Sequence, residues 1–327
     1  MAYATAAHIE IDEIPVVDAA DLATDDPAAI AAIGARMREA AEQIGFFYVR
    51  NHGIARETVE RAFAASRAFF RSPEELKRTA TINERHRGFL AVGQSKMYTG
   101  ARIDLKESFL WGLELAGDDP DVAAGKPLMG PNNWPAALPE TRAAFYAYYL
   151  DICACGQRLL KGLAASLGRD PSFFAKSFEK PLARGSAIYY PPQPPDMGET
   201  QFGVAPHTDY GGLTLLAQDD VGGLQVLAKN GKWVTAHPIP DTLVVNIGDL
   251  MHRWTNTRFS SNPHRVVNAS GRERFSIAVF YDPHPDTVVD PRDLLDDPSE
   301  AKYPPITCGE YIVGRFDKAF KYRQQKA

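Results

Sequence analysis

Two histidines and one aspartate are the residues of this chain whose types and spacing suit metal binding. His207 and Asp209 are two positions apart, and His264 follows much later in the chain. Alternate residues of a β-strand point to the same face, so His207 and Asp209 can face one cavity. Two imidazoles and one carboxylate can occupy one face of a ferrous ion and leave the opposite coordination positions open. These residues therefore predict a single-iron site with room for further ligands.

An arginine and a serine follow the second histidine, in the segment Arg274-Phe275-Ser276. A guanidinium can hold a carboxylate through two parallel hydrogen bonds. Arg274 begins an otherwise apolar strand pattern, and a guanidinium buried there needs an anionic partner. We therefore expect a site for an acidic co-substrate near the metal, together with an open position for dioxygen.

The composition favours a folded cytoplasmic protein over a nucleic-acid-binding or membrane protein. The chain has 327 residues, is 45% hydrophobic and carries a net charge of −5. Its Lys and Arg residues form no block, which argues against nucleic acid as a partner. No apolar run reaches the ~20 residues of a membrane helix. Three cysteines cannot build a disulfide framework, and the N-terminus lacks a signal-peptide pattern, so we expect a reducing, cytoplasmic location. Nothing in the composition indicates an oligomeric state.

The elements that must position these residues fall into two groups. Before about residue 184 the pattern is mostly helical: Asp26-Pro27 is typical of a helix start, and Gly45 of a helix end. Apolar residues at helical spacing predict a long helix over 139–168 and a closing helix over 309–320.

After residue 184 short apolar runs separated by turn residues predict strands, with a hairpin at Asn230-Gly231. The predicted strands are Ala187–Tyr190, Leu213–Ala217, Leu224–Leu227, Leu243–Ile247 and Phe275–Tyr281. Many short strands at this spacing favour a double-sheet barrel. We expect one continuous fold over residues 1–327, with a mostly helical region at 14–130 and a barrel core at 184–290 that carries the metal site.

These motifs resemble those of the iron(II)/2-oxoglutarate-dependent oxygenases of the isopenicillin N synthase-like group. The segments that carry the resemblance are Gly45–Ile54, Arg87–Phe89, Lys106-Glu107, Ala205–Tyr210, Gln218–Val226, Val245–Asp249, Trp254–Asn256, Pro263–Val267 and Arg274–Ser276. They extend over nearly the whole chain. The resemblance implies a double-stranded β-helix, which is a cupin-like jelly roll, with flanking α-helices.

The resemblance also implies roles for individual residues. His207, Asp209 and His264 correspond to the iron ligands. Arg274 and Ser276 correspond to the pair that binds the distal carboxylate of 2-oxoglutarate, and Tyr190 to a tyrosine that lines the same pocket.

The implied reaction is the oxidation of a small organic molecule by dioxygen, with release of succinate and CO2. Hydroxylation, desaturation and ring closure are its usual outcomes in such enzymes.

One departure from the relatives concerns the substrate side of the pocket. Related enzymes often carry a basic residue and an asparagine ahead of the Tyr-Tyr-Pro run, whereas this chain has Ser186 and Ile188 there. We therefore expect a less polar pocket, or one without a carboxylate clamp from this strand. Lys96, Tyr98 and Arg102 could supply substrate contacts from a lid.

Three other interpretations remain open from the sequence. In an isopenicillin N synthase-like oxidase, or an ethylene-forming enzyme, Arg274 and Ser276 would bind a substrate carboxylate, and Gln324 or Gln325 would correspond to a terminal glutamine that can bind the metal. A non-catalytic metal-binding jelly roll would lack an intact ligand set or an open pocket. A zinc hydrolase would leave Arg274 and Ser276 unexplained.

Overall fold

The architecture is taken from a computed structural model that describes residues 14–24, 26–94, 103–193, 201–320 and 323. Its helices are α1 (Pro27–Gln43), α2 (Arg56–Phe70), α3 (Glu74–Arg78), α4 (Pro120–Ala123), α5 (Pro139–Ser166), α6 (Asp249–Trp254) and α7 (Cys308–Ala319). Short 3-10 turns lie at Ala20–Ala23, Lys176–Phe178, Pro291–Leu294 and Pro298–Glu300. None of these helices combines the length and the apolar character that a membrane crossing requires.

The strands form two principal sheets. They are β1 (Val16–Asp18), β2 (Phe46–Arg50), β3 (Gly88–Leu90), β4 (Glu107–Gly112), β5 (Arg184–Tyr190), β6 (Val204–His207), β7 (Leu213–Gln218), β8 (Leu224–Leu227), β9 (Trp233–Thr235), β10 (Thr242–Ile247), β11 (His264–Val266), β12 (Arg274–Tyr281), β13 (Val288–Val289) and β14 (Ile306–Thr307). An eight-stranded sheet has the order β1-β2-β10-β7-β12-β5-β4-β3, and a four-stranded sheet has the order β6-β11-β8-β9. All pairs in them are antiparallel except β1 with β2.

Two apolar clusters hold the layers together. The smaller cluster lies between the two sheets and includes Ile188 and Val244 from one and Val226 and Val266 from the other. The larger cluster lies on the other face of the eight-stranded sheet, where α5 supplies Phe145, Ile152 and Leu159 among its fully buried residues. The expected double-sheet barrel with flanking helices is therefore confirmed, and helices cover only one face of the large sheet.

The local signals explain where the elements begin and end. The Asp26 carboxylate accepts a hydrogen bond from the Ala28 amide and caps α1, and Pro27 occupies its first turn. Gly45 adopts φ +70° after the helix, a conformation that glycine adopts without strain. The Asn230-Gly231 turn joins β8 to β9 as expected.

The sequence analysis did not predict strands β3 and β4, which extend the large sheet from the N-terminal region. Strand β4 pairs with β5, and β3 pairs with β4, so this region contributes a wall of the barrel as well as helices. These strands are short and buried, and their apolar runs give no periodic signal that separates them from buried helix or loop.

Candidate metal centre and active site

The three predicted metal ligands converge at one edge of the four-stranded sheet. His207 ends β6, His264 begins β11, and the two are direct partners in the antiparallel register. Asp209 lies just beyond the end of β6. One ligand atom from each residue lies within 4.8 Å of the other two, with Asp209 Oδ1 3.8 Å from His207 Nε2 and Asp209 Oδ2 3.7 Å from His264 Nε2. The Nε2 atoms and the carboxylate therefore face a common point.

Hydrogen bonds from neighbouring groups set the orientation of each ligand. His207 Nδ1 lies 2.8 Å from the Ala205 carbonyl oxygen, and His264 Nδ1 lies 3.3 Å from that of Asn262. A carbonyl can only accept, so each Nδ1 carries the proton and each Nε2 presents its lone pair. Such contacts commonly fix the tautomer of metal-binding histidines.

Asp209 is held in the same way, by the Thr214 hydroxyl at 2.6 Å and the Asn246 amide at 2.8 Å, both of which donate to Oδ2. These two donors come from β7 and β10. The large sheet therefore holds Asp209, which lies beyond the paired residues of the small sheet. The sequence analysis did not identify Thr214.

Burial and mutual charge put His207 and Asp209 in the protonation states that a metal ion requires. Burial, reinforced by the charge of His264, lowers the pKa of His207 to about 3. Burial alone would raise the pKa of Asp209, but the two histidines and the hydrogen bonds from Thr214 and Asn246 lower it overall. At neutral pH the site thus offers a neutral His207 imidazole and an ionised Asp209 carboxylate, and this donor set fits iron(II).

Arg274 lies in the same cavity and is fully buried. Its Nε donates to the Gly222 carbonyl, its Nη1 to Ser276 Oγ at 3.3 Å and its Nη2 to Gln218 Oε1 at 3.3 Å. The ring of Tyr190 lies 4.6 Å from the guanidinium carbon. The three residues predicted to form the acidic co-substrate site are thus together.

All recorded hydrogen-bond partners of Arg274 in the described ranges are neutral, and none of the ion pairs found there includes it. A buried guanidinium without a carboxylate is unfavourable unless an anion binds. The site therefore has the charge and the geometry to accept one.

The cavity lies between the two sheets. Ser186 and Ile188 line it, as expected, and so do Phe316 and Phe320 from the C-terminal helical region. His86 packs between those two phenylalanines at 4.4 and 4.7 Å between ring centres, and burial lowers its pKa well below the usual value. The candidate lid residues Lys96, Tyr98 and Arg102, and the C-terminal Gln324 and Gln325, lie outside the described residues.

Comparison with known families assigns both halves of the chain. Residues 186–283 match the 2OG-Fe(II) oxygenase superfamily, and residues 14–137 match the family described as non-haem dioxygenase in morphine synthesis N-terminal. The 2-oxoglutarate-Fe(II) type oxidoreductase hxnY of Emericella nidulans is 37% identical over 94% of this chain and 90% of its own length.

Solved structures show the same likeness. A full-length Neurospora crassa protein in complex with alpha-KG and thymine is 29% identical with a TM-score of 0.84, covering 96% of this chain and 99% of its own. JOX2 in complex with 2OG, Fe and JA is 32% identical with a TM-score of 0.77, covering 92% of this chain and 84% of its own.

Proposed function

Because this chain belongs to the 2OG-Fe(II) oxygenase superfamily, we propose that His207, Asp209 and His264 are the ligands of its iron. The protein is a 2-oxoglutarate-dependent dioxygenase, an oxidoreductase that uses iron(II), 2-oxoglutarate and dioxygen. The observation that carries the assignment is the convergence of three ligand atoms within 4.8 Å of one another. The buried guanidinium of Arg274 lines the same cavity, and its hydrogen-bond acceptors are neutral.

We assign the co-substrate to the other end of the cavity. Arg274 and Ser276 bind the distal carboxylate of 2-oxoglutarate, and the Tyr190 ring packs beside it. The antiparallel register supports this assignment, because Arg274 and Tyr190 are direct partners on β12 and β5. A carboxylate there would pair directly with Arg274, which interacts with Asp219 electrostatically but has only neutral hydrogen-bond partners.

Bound iron(II) supplies the redox chemistry that couples oxidative decarboxylation of 2-oxoglutarate, to succinate and CO2, with oxidation of a substrate C–H bond by dioxygen. The protein's part is to position and to shield. Thr214 and Asn246 hold the Asp209 carboxylate, the Nδ1 hydrogen bonds hold both imidazole rings, and the apolar walls of the cavity exclude water.

The substrate is a small organic molecule that fits between the sheets. The similar Neurospora crassa protein was solved with thymine in its complex, which supports a substrate of comparable size here. We propose further that residues 1–327 act as one oxygenase unit, in which 184–290 carry the iron site and both 14–130 and 309–320 flank it. A cytoplasmic location without nucleic-acid or membrane partners is also part of the proposal, supported by the net charge of −5 and three unpaired cysteines.

The test is reconstitution with iron(II) followed by a substrate-library screen that reads succinate and oxidised product together. We expect equal amounts of succinate and product, and loss of both activity and iron binding in Asp209→Ala. His237→Ala is the matched control, because His237 lies in a loop outside the cavity lining, and it should behave as wild type. Oxygen consumption without succinate would instead indicate an oxidase and overturn the role of Arg274, and ethylene release would indicate an ethylene-forming enzyme.

A further inference from the structure

The substrate side of the cavity contains a lysine that the sequence analysis did not assign. Strand β5 presents Ser186 and Ile188 where related enzymes often place a basic residue and an asparagine. The neighbouring strand β4 pairs with it so that Ser108 is opposite Ile188 and Leu110 is opposite Ser186. Lys106 comes two residues before Ser108, and all of these side chains line the cavity.

The ammonium group of Lys106 is mostly buried and poorly paired. Its side chain is 13% exposed, and its nearest carboxylate oxygen, Asp104 Oδ2, is 4.0 Å away. No hydrogen bond from its Nζ is found among the residues described. The other carboxylate oxygen of Asp104 accepts a hydrogen bond from the Ala205 amide at 3.0 Å, which fixes this aspartate beside the chain that carries His207.

The other cationic groups that line this cavity already have partners. Arg184 forms a buried ion pair with Asp282 at 2.6 Å. Arg274 is held by three hydrogen bonds at the co-substrate end. Of the cations lining the described cavity, Lys106 has its carboxylate partner, Asp104, at 4.0 Å and no hydrogen-bond acceptor, so its ammonium can accept a second carboxylate.

We propose that Lys106 binds a carboxylate of the primary substrate, so that this enzyme oxidises a small organic acid. This rests on the proposed function of the site. A single ammonium suits a monoanion, and the apolar side chains around it, Leu90, Leu110, Ile188 and Phe316, suit a hydrocarbon or ring body. The basic residue that related enzymes often carry ahead of the Tyr-Tyr-Pro run is thus replaced by one just before the adjacent strand β4.

The experiment measures binding, without turnover, to the iron(II)- and 2-oxoglutarate-loaded protein under anaerobic conditions. The probes are a library of organic acids and their primary amides, including phenylacetate, cinnamate and hexanoate. Calorimetry is expected to show an acid that binds wild type about 10- to 100-fold more tightly than its amide, the effect of a hydrogen bond to a charged group. Lys106→Met should remove this preference and leave amide binding within about threefold.

Two further variants test whether the preference for the acid depends on a positive charge at position 106 or only on the overall charge of the protein. Lys106→Arg should keep a preference for the acid. Lys232→Met removes the same charge from an exposed hairpin position and should bind both probes as wild type does. The melting temperature of each variant, measured by circular dichroism, confirms that it is folded.

The proposal is overturned if no acid in the library binds wild type more tightly than its amide, or if Lys106→Met keeps the preference. It is also overturned if Lys106→Met weakens the binding of 2-oxoglutarate itself, because the ammonium then serves the co-substrate. Failure of the proposed function has a different signature, in which wild-type protein binds neither iron(II) nor 2-oxoglutarate.

Discussion

Replacing Arg274 should abolish co-substrate binding while leaving the protein folded. The guanidinium is fully buried and its recorded partners, Gly222, Ser276 and Gln218, are all neutral. Loss of one member of a buried ion pair costs about 3–5 kcal/mol. Arg274→Met should therefore raise the Kd of 2-oxoglutarate by more than about a hundredfold.

The unliganded protein should respond differently from the complex. Removing Arg274 deletes three hydrogen bonds and also a buried charge that forms no ion pair in the described ranges, and these effects oppose each other. We therefore expect the melting temperature without ligand to change little. Wild type should gain about 2.7 kcal/mol of stability at a 2-oxoglutarate concentration of about 100 times its Kd, and Arg274→Met should gain almost none.

The assay is calorimetric titration of 2-oxoglutarate into the metal-loaded protein, together with thermal unfolding. Arg274→Lys keeps the charge but loses the planar fork, so it should bind about tenfold more weakly than wild type. Arg272→Met is the matched control, because Arg272 lies two residues away, is 59% exposed, and pairs with Asp220 at the surface. If Arg274→Met binds 2-oxoglutarate within about threefold of wild type, the assignment of this arginine is wrong.

Three further outcomes follow from contacts elsewhere in the fold. Thr214→Val removes the hydroxyl that donates to Asp209 and should weaken metal binding by about 10- to 100-fold in a competition titration. The Thr242 hydroxyl instead donates to the Ile239 carbonyl, so the control Thr242→Val should bind metal as wild type does. Burial lowers the pKa of His86, so below about pH 6.5 the unfolded chain binds a proton that the folded protein does not, and stability falls as the pH falls. Asparagine tolerates the φ of +61° at this position. His86→Asn should therefore recover roughly 1 kcal/mol of the free energy of unfolding in urea that wild type loses between about pH 7 and pH 5.5. If the variant loses as much stability as wild type over this range, the burial of His86 is not the cause. Gly156→Ala should destabilise α5 by about 1–3 kcal/mol, because its Cβ would lie 2.7 Å from the Tyr281 ring. Gly314→Ala in α7 meets nothing within 4 Å and should stabilise by about 0.5–1 kcal/mol in the same unfolding assay.

The sequence singled out the proposed metal ligands because the chemistry of such a site is fixed by residue type. Few combinations of side chains other than two histidines and a carboxylate leave an iron site half open, so His207, Asp209 and His264 could be selected before their positions in space were known. The capped start of α1 and the turn at Asn230-Gly231 were also predictable, since both depend on a few adjacent residues.

The supporting contacts could not be read from the sequence, because they depend on which strands are neighbours. Thr214 and Gln218 both lie on β7, which sits between β10 and β12 in the large sheet. That position brings one end of β7 to Asp209 and the other to Arg274. Lys106 reaches the cavity for the same reason, because β4 joins the sheet beside β5, and no local pattern records that pairing.

The hairpin between β8 and β9 also bears on how this protein can be modified. Val226 is the direct neighbour of His264 in the sheet, but the tip at Asn230, Gly231 and Lys232 is exposed, and a Cβ on Gly231 would meet nothing within 4 Å. A tag or a whole reporter domain could be inserted at this tip without disturbing the hydrogen bonds between β8 and β11 that position His264. The enzyme thus offers an attachment point for immobilisation or fluorescence labelling at residues that do not line the cavity.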